Sequence, residues 1–389
     1  MTVHDLSSTF PDIRKGVADV CRRFPGPYWR DCDRSRLYPK AFVEALAAEG
    51  YLAAMIPEEY GGSGLELAAA AAILEEIHHG GCNAAACHAQ MYTMGTLLRH
   101  GSAAQKRIYL PKIADGSLRL QAFAVTEPTS GTDTLALQTT ARRDGDHYVV
   151  DGQKIWTSRA EHSDLMLLLA RTTPRAAVQG RTDGLSVFLL DLRELVGNGV
   201  TIRPIPTMIN HATTEVFFDG VRIPAESLVG EEGKGFRYIL SGMNAERILI
   251  AAECIGDAKW FLDKASAYAR ERVVFGTPIG RNQGVQFPLA RAFAHMLAAE
   301  AIVHRAAALY DAGQDPGVEA NAAKMLAADA SWEAAEACLQ THGGFGFAEE
   351  YDVERKFRET RLYQVAPIST NLILCFLAEH ALGLPKSYG

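Results

Sequence analysis

The sequence predicts an α+β protein in three parts: an N-terminal helical domain over residues 1–120, a middle antiparallel β-barrel or sandwich over 121–232, and a C-terminal four-helix bundle over 233–389. Three observations carry this reading. Apolar residues recur at helical spacing through the first part; the pattern shifts to short β-branched runs near Leu120; long amphipathic runs return after Gly235. A chain of 389 residues also exceeds what a single hydrophobic core serves.

In the first part, Pro39 to Glu49 reads as a helix stopped at Gly50, a residue suited to a C-cap. Leu65 to His79, Met91 to His100 and Ala103 to Ala114 are further helical runs, and the glycines of Pro57–Gly64 mark a loop. In the second part, Thr139–Arg142 and His147–Val150 flank Asp144–Asp146 as a hairpin. Leu165–Arg171, Leu185–Leu190, Val200–Ile205 and Thr214–Phe218 are short strand-like runs separated by turns. In the third part, Ala245–Glu271, Gln283–Asp311, Gly317–Gly343 and Thr370–Leu382 form four helical runs, the pattern of an up-and-down bundle.

Composition narrows the function. The formal charge of −7 argues against a nucleic-acid surface or steering toward anionic membranes. No apolar run reaches the roughly 18 residues a membrane helix needs. The N-terminus lacks the basic and apolar regions of a signal peptide. Seven scattered cysteines without a C-x-x-C pair predict reduced thiols in a cytoplasmic protein. The histidines, including His78–His79, show no metal-ligand spacing, so no metal is expected.

Four segments could carry chemistry. Phe123–Asp133 enters a turn rich in Thr, Ser and Gly, whose hydroxyls and N–H groups suit a flavin edge or a phosphate; an ordinary strand-end turn has the same composition. Gly152–Ser158 offers Trp156 to a flat cofactor, or to the barrel core. Arg272–Gly280 places a guanidinium between two helices, where it suits a pyrophosphate or plain solvent. Gln340–Gly346 has glycines that admit a ligand or simply end a helix.

Taken in order, Val-Thr-Glu-Pro (125–128), Gly-x-Lys-x-Trp (152–156), Arg-x-x-Phe-Gly (272–276), Gln-x-Val-Gln (283–286) and Gln-x-x-Gly-Gly (340–344), with Pro57–Gly62, closely resemble the acyl-CoA dehydrogenase family over essentially the whole chain. The resemblance implies the same three-domain fold, bound FAD, and a homotetramer built as a dimer of dimers. It implies that Phe123, Val125 and Thr126 line the flavin ring, that Trp156 stacks near it, and that Ser158 bonds its polar edge. Gly131 and Thr132 then lie toward the pantetheine and FAD phosphates. Arg272, Phe275, Gln283, Gln340 and Gly344 bind the adenosine and pyrophosphate of a partner subunit's FAD, and Ser369 and Asn371 contact the cofactor. The family's Trp-Ile-Thr-Asn is here Trp156-Thr157-Ser158-Arg159, and Arg159 is the substantial departure.

The implied reaction turns an acyl-CoA into its trans-2-enoyl-CoA. A base removes the α-proton, the flavin takes a hydride, and an electron-transfer flavoprotein accepts the electrons. Most members carry the base in a Tyr-Glu-Gly-Thr turn, which aligns with Ala366-Pro367-Ile368-Ser369 and so lacks a carboxylate. Members resembling isovaleryl-CoA and long-chain enzymes place it before an arginine on the first bundle helix, which is Asn244-Ala245-Glu246-Arg247 here. Glu246 is therefore the expected base, with Thr132, Asn244, Arg247, Ala366 and Pro367 as substrate contacts. The small Ala366 and Pro367 leave room for a branched or cyclic acyl group. Pro367 also has no N–H for the thioester oxygen. Rival readings are an oxidase or an eliminase on the same fold, which Pro367 favours, and a non-catalytic helical assembly protein, which would be colourless.

Overall fold

The computed structural model describes residues 9–387, except the side chain of Ser241. In chain order, helices α1 (Pro11–Arg22), α2 (Gly26–Arg34), α3 (Lys40–Ala48), α4 (Leu67–His79), α5 (Ala89–His100) and α6 (Ala103–Ala114) come first. Strands β1 (Leu120–Ala124), β2 (Thr140–Asp144), β3 (His147–Ser158), β4 (Leu165–Arg171) and β5 (Leu185–Asp191) follow. A short α7 (Leu192–Leu195) leads to β6 (Val200–Pro204), β7 (Thr213–Pro224) and β8 (Leu228–Val229). Helix α8 (Gly235–Glu271), the small ribbon of β9 (Val273–Val274) and β10 (Thr277–Pro278), and helices α9 (Gln283–Asp311), α10 (Gly317–His342), α11 (Val353–Arg361) and α12 (Thr370–His380) complete the chain.

The chain divides into two compact units. One holds the chain to Ser35, Glu66–Ala84 and the chain from Asn244; the other holds Arg36–Leu65 and Ala85–Met243. The second unit is built on a sheet in the order β6-β7-β3-β2-β4-β5-β8, with β1 added beside β4. The pairing is antiparallel except at β4, which β1 and the first residue of β2 join in parallel. Strand β4 reads as an unbroken apolar run because both its faces are buried. Leu165, Leu167 and Leu169 share a core with Met94, Leu97, Leu110 and Ile113 of the covering helices. Met166, Leu168 and Ala170 point the other way, into a core with Tyr148, Val150, Phe188 and Phe218.

The first unit is helical. Helix α8 begins at Gly235 rather than Ala245, because its first turns carry Ile239 into the core under the sheet. Helices α4 and α8 cross backbone to backbone: a Cβ on Gly256 would sit 2.2 Å from the Glu75 carbonyl oxygen. Helix α11 has no counterpart among the periodic runs of the sequence. Its buried residues include Arg355, Lys356, Glu359 and Thr360, so an apolar period never appears. Charges satisfy one another there instead. Arg355 pairs with Glu359, and Lys356 with the fully buried Asp257, which also holds His78 at 2.9 Å.

Candidate active site

In the sheet unit, the turn after β1 is fixed from beneath. Lys154 on β3 is fully buried; its ammonium donates to the Val125 carbonyl at 3.0 Å and meets the Glu127 carboxylate at 2.9 Å. Glu127 also accepts from the backbone N–H groups of Gln138 and Thr139, at 2.6 and 2.9 Å. Burial pulls Lys154 down to about 8 while Glu127 pulls it back up. With Lys154 turned inward, strict alternation would also turn Trp156 inward. A register shift between Lys154 and Thr157 breaks the alternation, and Trp156 takes the left-handed conformation with φ of 60°. Its indole is 57% exposed.

Around that indole, Phe123, Val125 and Thr126 are half-buried, and Ile155 N–H donates to the Thr126 carbonyl at 2.9 Å. Ser158 accepts from Asn210 Nδ2 at 2.8 Å. Gly131 and Thr132 lie exposed at the rim of the turn. Phe123 on β1, Val125 and Thr126 in the turn after it, and Trp156 and Ser158 on β3 thus lie on two segments joined by the Lys154–Val125 and Ile155–Thr126 hydrogen bonds. Sequence reasoning missed Lys154 and Glu127 as the pins of this surface. The signal was available, since both lie inside the two motifs.

In the helical unit, Glu246 is 9% exposed on α8. Arg247, beside it, donates from Nη1 to Asn244 Oδ1 at 2.9 Å, and its Nε has no protein partner among the described residues. Burial lowers the Arg247 value, against the raising pull of Glu246. The segment carrying Ala366 and Pro367 is tied down by Lys324 of α10, which donates to the carbonyls of Tyr363 at 2.7 Å and Ile368 at 3.1 Å. Nothing in the sequence marks Lys324, some forty positions away, as a partner of that turn. Ser369 caps α12, its hydroxyl accepting from Leu372 N–H at 3.4 Å, and Asn371 is exposed in the first turn.

The remaining expected contacts lie on the outer surface of the same unit. Arg272 and Gln283 are exposed, and Phe275, on left-handed backbone with φ of 50°, is wholly exposed. An aromatic ring held on such backbone without cover is uncommon. Gln340 lines an open groove of about 580 Å³ together with Phe287, Arg291, Glu333, Glu336 and Phe357. A flavin dinucleotide suits these features. By itself, the sheet unit offers an exposed indole and the Ser158 hydroxyl; by itself, the helical unit offers an exposed guanidinium and exposed aromatics. A Cβ at Gly131 or Gly344 would meet no protein atom within 4 Å, so packing demands glycine at neither, and both leave open space for a ligand. One cluster of possible metal ligands, Glu75, Glu300 and His304, already has Lys259 against both carboxylates at 2.6 and 2.8 Å.

Three family models cover the chain: the acyl-CoA dehydrogenase N-terminal domain over residues 9–117, the middle domain over 122–221 and the C-terminal domain over 233–374. The chain is 34% identical to the acyl-CoA dehydrogenase FadE12 of Mycobacterium tuberculosis, over 97% of this chain and 96% of that one. It is 31% identical to the glutaryl-CoA dehydrogenase of Desulfococcus multivorans, over 98% and 99% of the two chains. Among solved structures, a glutaryl-coenzyme A dehydrogenase in complex with glutaryl-CoA superposes with a TM-score of 0.91, at 30% identity, over 99% of this chain and 98% of the other.

Proposed function

This chain belongs to the acyl-CoA dehydrogenase family of FAD-dependent oxidoreductases, and on that premise we propose that Glu246 is the base that takes the α-proton of its acyl-CoA substrate. The supporting observation is the pairing of two positions. The turn at Ala366–Pro367 offers no carboxylate, while α8 offers a buried one in Glu246, next to the half-buried Arg247. A carboxylate withdrawn from bulk water takes a carbon-bound proton more readily than a solvated one.

FAD, when bound, supplies the acceptor for the β-hydride. The other work falls to side chains of this protein. Phe123, Val125, Thr126 and Trp156 give the ring a face that excludes water, and Ser158 gives its edge a hydroxyl. Gly131 and Thr132 lie toward the phosphates, Ser369 and Asn371 add contacts, and Arg272, Phe275, Gln283, Gln340 and Gly344 hold the far end of a partner subunit's cofactor. Arg247 and Asn244 orient the thioester beside the base. The exposed Phe275 supports assembly with further copies, as a dimer of dimers. The electrons leave to an electron-transfer flavoprotein, in the cytoplasm.

The test is to mix the yellow protein anaerobically with a series of saturated acyl-CoAs and follow both flavin colour and thioester mass. Bleaching with loss of two hydrogens from one thioester class supports the reading. A second reading rests on Pro367, which cannot donate to a thioester oxygen; one such donor is worth about 3 kcal/mol. If no saturated acyl-CoA bleaches the flavin, while a β-substituted thioester loses its leaving group, the protein is an eliminase.

A further inference from the structure

Arg159 stands where the family pattern has asparagine, and its side chain is 5% exposed. Its backbone is left-handed, with φ of 64°, and its N–H donates to the Ala212 carbonyl at 2.6 Å. The guanidinium turns inward: Nη1 donates to the Ala85 carbonyl, and Nε has no protein partner among the described residues. No Asp or Glu side chain pairs with it among the described residues.

Its neighbours do not neutralise it. Burial holds the Tyr38 phenol protonated, with Arg119 and Arg159 both acting on it from nearby. The Tyr38 hydroxyl bonds the Ala86 carbonyl and the Gln121 side chain, and its ring stacks on His162 at 4.2 Å. Burial and Arg119 hold His162 below its ordinary value, so it stays neutral at pH 7. Arg119 itself is drawn to Glu44 at the surface. The result is a buried cation in an electropositive setting without a counter-charge among the described residues, an unfavourable arrangement unless an anion joins it.

We propose that Arg159 recognises a carboxylate at the far end of the acyl chain, and that the preferred substrates are monothioesters of dicarboxylic acids. The unpartnered edge of the guanidinium, with Nη1 already committed, suits a carboxylate held by two parallel hydrogen bonds. Arg159 directly follows Ser158, so this inference rests on the acyl-CoA reading, in which Ser158 meets the flavin's edge.

The test measures binding, so it does not depend on turnover. FAD-loaded Glu246→Gln protein is titrated with succinyl-, glutaryl- and adipyl-CoA, and with butyryl-, pentanoyl- and hexanoyl-CoA of matching length. The expected result is at least a tenfold preference for one dicarboxyl thioester over its match. Adding Arg159→Asn should abolish that preference and leave monocarboxyl binding unchanged; Arg159→Lys, which keeps the charge without the fork, should fall between. Without ligand, Arg159→Asn should melt no lower than the parent. Equal affinity for both series overturns the proposal, and a shifted flavin midpoint potential in Arg159→Asn would then assign the charge to the cofactor. Binding of neither series sinks the acyl-CoA reading itself.

Discussion

Lys154 shows how one side chain sets a surface. It is fully buried, pinned to Val125 and Glu127, and lies two residues before the bulge that turns Trp156 outward. Removing it strands the Glu127 carboxylate in the interior. Lys154→Met should therefore cost about 3–5 kcal/mol in denaturant unfolding, and Glu127→Gln in the same chain should recover part of that loss. A loss under about 1 kcal/mol would mean that the pair does not hold the turn. The motif residues themselves were legible in the sequence; the division of labour between Lys154 facing in and Trp156 facing out was not. Strand alternation places both on one face, and only the register shift separates them.

At the scale of elements, legibility followed the apolar period. Strand β4 and helix α9 have the bounds their runs suggest, Leu165–Arg171 and Gln283–Asp311. Helix α11 escaped because charged groups fill its buried face, and the first turns of α8 escaped because they precede its strongest periodic stretch. The same blindness hid Lys324, whose partners are carbonyls of the turn that contains Pro367. Lys324→Met leaves the buried Tyr363 carbonyl and the half-buried Ile368 carbonyl without their donor, at a cost of roughly 1–3 kcal/mol. Hydrogen exchange around Val365–Ser369 should quicken in that variant more than in β4. Uniform quickening across the chain would show that Lys324 serves stability at large rather than the turn.

For the whole molecule, acid sensitivity follows from one buried and two half-buried imidazoles. Burial holds His100, His162 and His342 below 6.5, aided by nearby cations. The unfolded chain takes up these protons first, so it binds more protons than the folded chain as pH falls through 6.5. Stability from these groups is present above that value and is lost below it, until the folded values are passed. The melting temperature should accordingly fall between pH 7.5 and pH 5.5. A flat profile would mean that the three rings remain open to solvent in the assembled protein. The fold class was plain from the order of helical, strand and helical segments. The division into two units was not, because Glu66–Ala84 joins the helices from Asn244 onward across a long stretch of sequence.

The central claim, that Glu246 takes the α-proton, is most directly tested by anaerobic stopped-flow reduction of the bound flavin. Wild type and Glu246→Gln are each mixed with the thioester that bleaches the wild type fastest. The rate in Glu246→Gln should drop by roughly 10²–10⁴-fold with FAD still bound. A rate within threefold of wild type, at equal flavin content, would contradict the assignment and require a different base.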